Sequence, residues 1–147
     1  MVAISGSERS QFLAIARQHF SELDSSFTPD DDWKQQYFET IQSNPGFFLR
    51  WICHDGERAG FILFGIEKHR FLPRKTGVVY DLYVMPGFRR RGIARACAAQ
   101  AIEELWKLGP SKIQLEVMEG NLGATALWES LEFRKTSERF VLAKDGR

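Results

Sequence analysis

The stretch of this sequence with the clearest chemical capacity runs from Tyr80 to Arg95. A β-rich run ends at Pro86-Gly87, three consecutive arginines follow, and apolar residues then recur at helical spacing from Gly92 to a stop at Gly109-Pro110. A strand that leads through a glycine-containing loop into a helix leaves unpaired backbone N–H groups at the positive end of the helix dipole. We interpret the stretch as an anion site, specifically a turn that binds pyrophosphate.

Two small residues, Gly92 and Ala94, would let a bulky phosphate approach the backbone of this turn. The alternative is that Arg89, Arg90 and Arg91 form a solvated surface loop, since arginine-rich loops are common on protein surfaces. A motif this short also occurs in unrelated proteins, so its structural context must decide.

Composition places the chain among globular proteins and predicts one domain over residues 1–147. The hydrophobic content is 44% and the aromatic content 13%, which suits a single sizeable core. A formal net charge of +1 gives no global attraction to nucleic acid or to an anionic membrane, so electrostatic recognition must be local. No apolar run approaches the ~20 residues of a membrane span, and the N terminus lacks the features of a signal peptide. We expect a cytoplasmic protein with no nucleic-acid or membrane partner.

The two cysteines, Cys53 and Cys97, lie far apart, and neither has a second thiol or a histidine at metal-ligand spacing. Cys97 falls on the apolar stripe of the helix that follows the arginines. We therefore predict buried free thiols in a reducing compartment and no metal site.

Two amphipathic helices are predicted at the start of the chain. Ser5 to Glu8 resembles a capping box, and the first helix follows it, with His19 interpreted as a packed helix histidine rather than a catalyst. The second helix follows the aspartates 30–32 and ends at Asn44-Pro45-Gly46. For the aspartates we favour capping of that helix over attraction of a cationic substrate. The apolar faces comprise Phe12, Ile15, Ala16, His19, Phe20 and Leu23 in the first helix and Trp33, Tyr37 and Ile41 in the second.

The remaining elements predict one mixed α/β layer structure. Asp55-Gly56 lies between two β-rich runs, Phe47 to His54 and Arg58 to Glu67, which is a strong hairpin signal. Further strands are predicted at Gly77 to Val84 and Lys112 to Val117. A short helix follows Glu119-Gly120-Asn121, and a last pair of strands is predicted within Phe133 to Leu142.

In this order of elements, Arg89-x-x-Gly92-x-Ala94 resembles the acetyl-CoA-binding motif of the GNAT superfamily of N-acetyltransferases. It follows Leu82-Tyr83-Val84-Met85-Pro86. Leu115-Glu116-Val117 and then Asn121-x-x-Ala124-x-x-Leu127-Trp128-x-x-Leu131-Glu132-Phe133 are similar to the second half of the family pattern, N-x-x-A-x-x-L-Y-x-x-x-G-F. The resemblance covers essentially the whole chain. It implies an α/β (α+β) fold with a mixed, mostly antiparallel central sheet, flanked by helices and splayed at the central strand.

The resemblance also implies how acetyl-CoA, the cosubstrate, would bind without a metal. The backbone at residues 82–84 would hydrogen-bond the pantetheine arm, and the N–H groups of residues 89–95 would hold the pyrophosphate, with the arginines adding charge. Asn121 would meet the pantetheine, and Trp128 would lie near the thioester sulfur. The implied cofactor-binding residues are Leu82, Tyr83, Val84, Arg89, Arg90, Arg91, Gly92, Ile93, Ala94, Arg95, Asn121 and Trp128.

For catalysis, the resemblance implies acetyl transfer to a primary amine by direct attack in a ternary complex, with a backbone N–H near Val84 polarising the thioester carbonyl. The candidates for the group that takes the ammonium proton are Glu116, which matches a base in family members that acetylate protein N termini, Asp81, and a water relay. Trp128 stands where the family has a proton-donating tyrosine, and an indole N–H does not give up its proton at neutral pH. The thiolate would therefore leave unprotonated, or be protonated by water, Tyr83 or Tyr80.

Three other hypotheses differ in class. The missing tyrosine makes a non-catalytic domain that binds and senses CoA the alternative. Nucleic-acid binding is disfavoured by the near-neutral charge and the lack of a known motif, and a P-loop is excluded because no Gly-Lys-Ser/Thr follows the glycine. The acceptor, a small-molecule amine or a protein or peptide amine, does not follow from the sequence, and a homodimer is left open.

Overall fold

The computed structural model describes residues 1–144 in two units, the first Met1–Glu116 and the second beginning at Val117. The first unit contains a five-stranded sheet and three helices, and the second contains one helix. In chain order they are β1 (Val2–Ala3), α1 (Arg9–Leu23), α2 (Asp31–Ser43), β2 (Phe47–His54), β3 (Glu57–Lys68), β4 (Lys75–Val84), α3 (Ile93–Lys107), β5 (Lys112–Leu115) and α4 (Leu122–Ser130).

The strands lie in the order β1-β2-β3-β4-β5, and every neighbouring pair is antiparallel except β4 and β5. The β2–β3 connection is the predicted hairpin. Asp55 and Gly56 both have positive φ, 50° and 79°, as a tight two-residue hairpin turn requires. These features confirm the predicted mixed, mostly antiparallel sheet.

The central strand β4 separates from β5 halfway along its length. β5 pairs with β4 only from Thr76 to Val79, whereas β3 follows β4 as far as Val84. The register between β3 and β4 shifts where Leu63 pairs with Asp81 and Phe64 pairs with Val79, which leaves Tyr80 as the extra residue of a bulge. The splay is therefore present, and it begins at this bulge.

Helices α1 and α2 cover one face of the sheet, and α3 packs on the other. Phe61 and Leu63 of β3 belong to the apolar cluster with α1 and α2. Arg50 of β2 points to the other face, where its guanidinium meets Glu104 of α3 at 2.5 Å. Cys97 lies in the buried stripe of α3, and burial raises the pKa of its thiol to about 12. The cluster under α1 and α2 consists of Ile4, Phe12, Ala16, Phe38, Ile41, Leu49, Trp51, Phe61, Leu63 and Tyr83.

The predicted capping box and the capping by an aspartate are confirmed, and α2 begins at Asp31 rather than after Asp32. Glu8 accepts hydrogen bonds at one carboxylate oxygen from the backbone N–H and the hydroxyl of Ser5, at 3.1 and 2.9 Å. Asp30 caps α2, because its carboxylate accepts the N–H of Trp33 at 2.7 Å. None of the helices within residues 1–144 combines the length and the apolar character needed to cross a membrane.

Two predictions about local structure are wrong, and one strand was missed. Cys53 is exposed rather than buried, because the register of the hairpin shifts between Ile52 and Cys53 close to the turn. The strand predicted to run to Val117 ends at Leu115, where β4 turns away at its bulge and no longer offers backbone partners. The short edge strand β1 was not predicted.

The last predicted pair of strands, within Phe133 to Leu142, is also wrong. The described residues from 134 to 144 form no helix or strand. Lys135 pairs with Glu138, three residues away, at 2.6 Å, so these charges satisfy each other locally instead of across a strand pair.

The second unit has a helix with a defined start and end. The Asn121 side chain caps α4 by accepting the N–H of Ala124 at 3.0 Å. At the other end Glu132 has φ of 71°, and Phe133 N–H returns to Trp128 O at 3.0 Å. This left-handed position after a helix is the one that glycine fills best, which explains the glycine of the family pattern.

We predict that Gly60→Ala destabilises the sheet beside the splay. Gly60 pairs with Val84, and a Cβ at Gly60 would lie 1.8 Å from the carbonyl oxygen of Tyr83. The strands would have to separate, at a cost of ~1–3 kcal/mol or more in the free energy of unfolding, measured by urea denaturation. Gly6→Ala is the control, since nothing lies within 4 Å of a Cβ there. Equal stability of the two variants would contradict this close approach.

Candidate active site

The loop that follows β4 contains two residues in the left-handed conformation just before α3 begins. Gly92 caps α3 with φ of 73°, and Arg90 is also left-handed with φ of 63°. The N–H of Ala96 donates to Gly92 O at 3.1 Å, so the N–H groups of Gly92, Ile93 and Ala94 precede the hydrogen-bonded ladder of the helix. Glycine at position 92 therefore suits the left-handed backbone conformation, and its lack of a side chain would also allow the predicted close approach of a phosphate.

The three arginines of this loop differ in their surroundings. Arg89 is already engaged, because its Nε donates to Val84 O at 2.8 Å and its terminal nitrogen meets the Glu22 carboxylate at 2.6 Å. Arg90 and Arg91 are exposed, and Arg91 lies over the ring of Phe88 at 5.8 Å. The structure thus leaves residues 90 and 91 better placed than Arg89 to add charge near a bound phosphate.

The backbone of β4 presents hydrogen-bonding groups to its open edge. Met85 N–H donates to Ala59 O at 2.8 Å, toward β3. Because backbone direction alternates along a strand, the groups of Tyr83 also point to β3, and those of Leu82 and Val84 point to the open edge. Of the three residues predicted to bind an extended arm through their backbone, Leu82 and Val84 have backbone groups on the open edge, where Val84 O already accepts the hydrogen bond of Arg89. The Tyr83 backbone points to β3 instead.

Asp81 lies under α1 and α2, at the level where β4 and β5 separate. Its carboxylate meets His19 Nε2 at 3.0 Å and accepts a hydrogen bond from the Tyr37 hydroxyl at 3.5 Å. Burial, and then the Asp81 charge, raises the pKa of Tyr37. His19 is packed in α1 as predicted, and it is also the partner of a candidate base. The signal for this was the imidazole on an apolar stripe, since a buried polar group needs a hydrogen-bond partner.

A cavity of about 430 Å³ opens beside Asp81. The bulge brings Tyr80 to the same side of the sheet as Asp81, where the Tyr80 ring meets that of Phe47 with centroids 5.0 Å apart. The Tyr80 hydroxyl donates to Glu67 at 2.9 Å, and burial and this carboxylate raise its pKa. Among the lining residues are Trp33, Tyr37, Ile41, Phe47, Tyr80 and Asp81. The sequence did not predict this cavity, because a bulge has no reliable sequence signal.

The Tyr83 side chain is buried in the first unit. Its hydroxyl donates to Glu22 at 3.1 Å, and burial, then the Glu22 carboxylate, raises its pKa to about 12. The Arg89 guanidinium lies 5.5 Å from the centre of its ring. Burial and the Glu22 carboxylate outweigh the opposite effect of the Arg89 charge, so Tyr83 is a weaker acid than an ordinary tyrosine.

Glu116 directly follows β5, one residue beyond Leu115, which pairs with Val79 of β4. Glu116 and Asp81 therefore both flank the point where the strands separate. Trp128 packs against Phe133 in the second unit, with ring centroids 5.5 Å apart. The predicted roles of Asn121 and Trp128 toward a cofactor remain predictions. Within residues 1–144 no group of His, Cys, Asp or Glu side chains could hold a metal ion.

Comparison with known proteins gives one family. A family model described as the acetyltransferase (GNAT) family matches residues 11–133. Ribosomal protein bS18-alanine N-acetyltransferase of Escherichia coli is 37% identical over 117 residues, which cover 78% of this chain and 74% of that protein.

Two further similarities extend the comparison. An uncharacterised N-acetyltransferase of Methanocaldococcus jannaschii is 28% identical over 84% of this chain, and the match spans 55% of that protein's own length, about half of it. The structure of an aminoglycoside acetyltransferase from an uncultured soil metagenomic sample, in complex with sisomicin, has a TM-score of 0.74 at 12% identity. It covers 95% of this chain and 92% of its own. At that identity the likeness shows a shared fold.

We predict that Tyr83→Phe makes stability less sensitive to alkaline pH. The folded-state pKa of Tyr83 is about 12, whereas an unfolded tyrosine titrates near ~10. Between these values the unfolded chain loses a proton that the folded chain keeps. The contribution of Tyr83 is thus complete at neutral pH and is lost as pH rises, at up to about 1.4 kcal/mol per pH unit.

The measurement is urea denaturation of parent and variant from about pH 9 to about pH 11, a window that spans the ordinary tyrosine pKa. The parent's free energy of unfolding should fall more steeply than that of Tyr83→Phe. Parallel curves would show that Tyr83 titrates in the folded state as it does in the unfolded chain.

Proposed function

We propose, from the premise that this chain belongs to the acetyltransferase (GNAT) family, that it transfers the acetyl group of acetyl-CoA to a primary amine. One observation carries the proposal. The open edge of β4 runs from the cavity beside Asp81 to the proposed anion-binding turn at the start of α3. A cosubstrate with a phosphate end and a reactive end matches such a groove.

The open edge of β4, from Tyr80 to Val84, borders this groove and offers backbone hydrogen-bonding groups to an extended arm. Leu82 and Val84 turn their backbone groups to the open edge, and the exposed Arg90 and Arg91 lie beyond the end of the strand. At ~3.3 Å per residue, the open edge between Tyr80 and Val84 is ~13 Å long. With the pyrophosphate at the turn and the pantetheine along this edge, the thioester would lie where β4 and β5 separate.

The transfer needs no further reactant. The amine nitrogen, once it has lost a proton, attacks the carbonyl carbon of the thioester, and the carbon–sulfur bond breaks to give the N-acetylated amine and CoA thiolate. The thiolate then takes up a proton, so that the ammonium and acetyl-CoA yield the amide, CoA and one released proton. A backbone N–H at the open edge, such as that of Val84, would polarise the carbonyl, and the remaining work of the protein is positioning.

Two carboxylates flank the proposed reaction point. We propose Glu116 as the group that takes the ammonium proton, because it immediately follows β5 at the separation of the strands. Asp81 is the rival, and its neighbours His19 and Tyr37 fix its orientation. A water relay is the third route.

A non-catalytic CoA-binding domain is the second candidate function. Trp128 favours it, since this residue stands where the family pattern has a tyrosine and its indole N–H does not serve as an acid. Acetyl transfer to any amine would exclude this candidate, whereas CoA binding alone would leave it standing.

We predict that CoA and acetyl-CoA raise the melting temperature of the protein by binding to its folded state. The double variant Arg90→Glu/Arg91→Glu should lose most of this increase, because it places two carboxylates beside the phosphate site. These exposed residues allow charge reversal without disturbing the core, whereas a substitution of Gly92 would strain the backbone. The measurement is thermal unfolding at increasing CoA concentration.

The matched control is Arg70→Glu/Arg74→Glu. It makes the same change in net charge at two exposed arginines between β3 and β4. This control should respond to CoA as the parent does. If the two double variants respond alike, the assignment of the pyrophosphate to the turn before α3 is wrong.

We predict that Glu116→Gln lowers kcat/KM for the amine by ~10²–10⁴-fold, the usual contribution of a general base. The substitution keeps the shape of the side chain and removes its basicity. The affinity for acetyl-CoA should hardly change, and activity should partly recover as pH rises, because the free amine then becomes more abundant. Steady-state rates across a pH series provide the test.

Asp81→Asn, measured in parallel, separates the two carboxylates. We expect it to raise KM for the amine more than it lowers kcat. If Asp81→Asn shows the pH-dependent loss of rate and Glu116→Gln behaves like the parent, the base is on β4 and the assignment to Glu116 fails.

A further inference from the structure

The cavity beside Asp81 defines the kind of amine it can hold. We propose that the acceptor is a primary monoamine with an apolar body about the size of an aromatic ring and without a carboxylate, bound with its ammonium group on Asp81. This inference rests on the proposed function and deepens it, since it assigns the acceptor class.

The charges around the cavity favour a single positive group. Asp81 is the one acidic side chain among its lining residues in the described part of the chain, and that lining contains no histidine, lysine or arginine. His19 Nε2 contacts one oxygen of the Asp81 carboxylate, and the Tyr37 hydroxyl donates to the other. An ammonium group would bind to the same carboxylate as a third partner. A carboxylate on the ligand would find no cation in the lining and would carry the cost of its own desolvation.

The walls of the cavity favour an apolar body. The rings of Trp33 and Tyr37 stack with centroids 5.4 Å apart and an interplanar angle of 11°. Tyr80 and Phe47 form a second aromatic pair on the other side, with centroids 5.0 Å apart. Such rings bury apolar surface, and their faces attract a nearby ammonium. A volume of about 430 Å³ suits a small ligand with one ring.

The same walls disfavour a polyamine. Within the lining, each ammonium group beyond the first would lose water against Ile41, Leu63 or an aromatic ring and would find no second carboxylate. The Glu67 carboxylate, outside the lining, already accepts the hydrogen bond of the Tyr80 hydroxyl. The charges and the apolar walls of the cavity therefore both favour an amine with one positive group, an apolar body and no carboxylate.

The cavity lies beside the point where the acetyl group is proposed to be transferred. Asp81 and Tyr80 follow directly after Val79, the last residue of β4 that pairs with β5. An amine held at Asp81 would thus meet the open edge at the place where the proposed thioester would lie. A cavity elsewhere on the sheet would have no such relation to the groove.

The first test compares amines in an acetyl-CoA consumption assay. Phenethylamine and phenylalanine differ by one carboxylate, and ethylamine lacks the ring. We expect kcat/KM for phenethylamine to exceed that for phenylalanine by ~10-fold or more, because the phenylalanine carboxylate would lose part of its water and meet Asp81 with no cation to pair with. Ethylamine and spermidine should also be poorer acceptors. If phenylalanine, spermidine or the N-terminal amine of a peptide matches or exceeds phenethylamine, the inference is overturned.

The second test removes one wall. Trp33→Ala should raise KM for phenethylamine by ~10-fold through the loss of ring contact, with little change in kcat, in KM for ethylamine or in KM for acetyl-CoA. Trp106→Ala is the matched control, since this tryptophan of α3 is 52% exposed and does not line the cavity. Equal KM values for phenethylamine in the two variants would show that the cavity does not hold the amine body.

A binding measurement separates failure of this inference from failure of the proposed function. With CoA present, phenethylamine should raise the melting temperature of the parent and leave that of Asp81→Asn unchanged. If acetyl-CoA binds and a different class of amine is acetylated, only the assignment of the acceptor fails. If acetyl-CoA neither binds nor is consumed with any amine, the proposed function fails and the inference falls with it.

Discussion

The bulge at Tyr80 is the constraint on which the rest of this structure depends. One extra residue in β4 shifts its register against β3, and beyond that point β5 has no backbone to pair with. The open edge, the early end of β5 and the direction of Asp81 and Tyr80 toward α1 and α2 all follow from this single irregularity. A regular strand would place consecutive side chains on opposite faces of the sheet, so only a bulge can direct both residues into one cavity.

A second interaction connects the two ends of the groove. Arg89 bridges Val84 O and the Glu22 carboxylate, and Glu22 also accepts the Tyr83 hydroxyl. The loop before α3 is thereby tied to α1, the helix that carries His19 to Asp81. Because these groups share partners, a substitution at Glu22 would disturb the proposed phosphate turn and the proposed amine cavity together, through coupled contacts. The arginine that resembles a phosphate ligand in sequence thus also has a structural role.

The sequence predicted the elements whose signals are local. The helical stripes, the Asp55-Gly56 hairpin and the Asp30 cap depend on neighbours within a few residues, and the family resemblance supplied the mixed, mostly antiparallel sheet with its splay. The errors lie where distant partners decide the structure. Whether β5 continues past Leu115 depends on β4 staying alongside, and the exposure of Cys53 depends on a register shift across the hairpin. The partnership of His19 with Asp81 spans 62 positions, a separation that periodicity does not reveal.

Asp81 and Glu116 suit different parts of one reaction. A carboxylate that binds an ammonium stabilises its charged form, and so it opposes the loss of the proton that must precede attack. A group that binds the cation and a group that accepts its proton are therefore better kept apart. Asp81 is held by His19 and Tyr37 inside an aromatic cavity, which suits it to hold the charge. Glu116 follows β5 at the separation of the strands, where the thioester is proposed to lie. The strand separation thus also allows these two proposed duties to be divided between a carboxylate on β4 and one that directly follows β5.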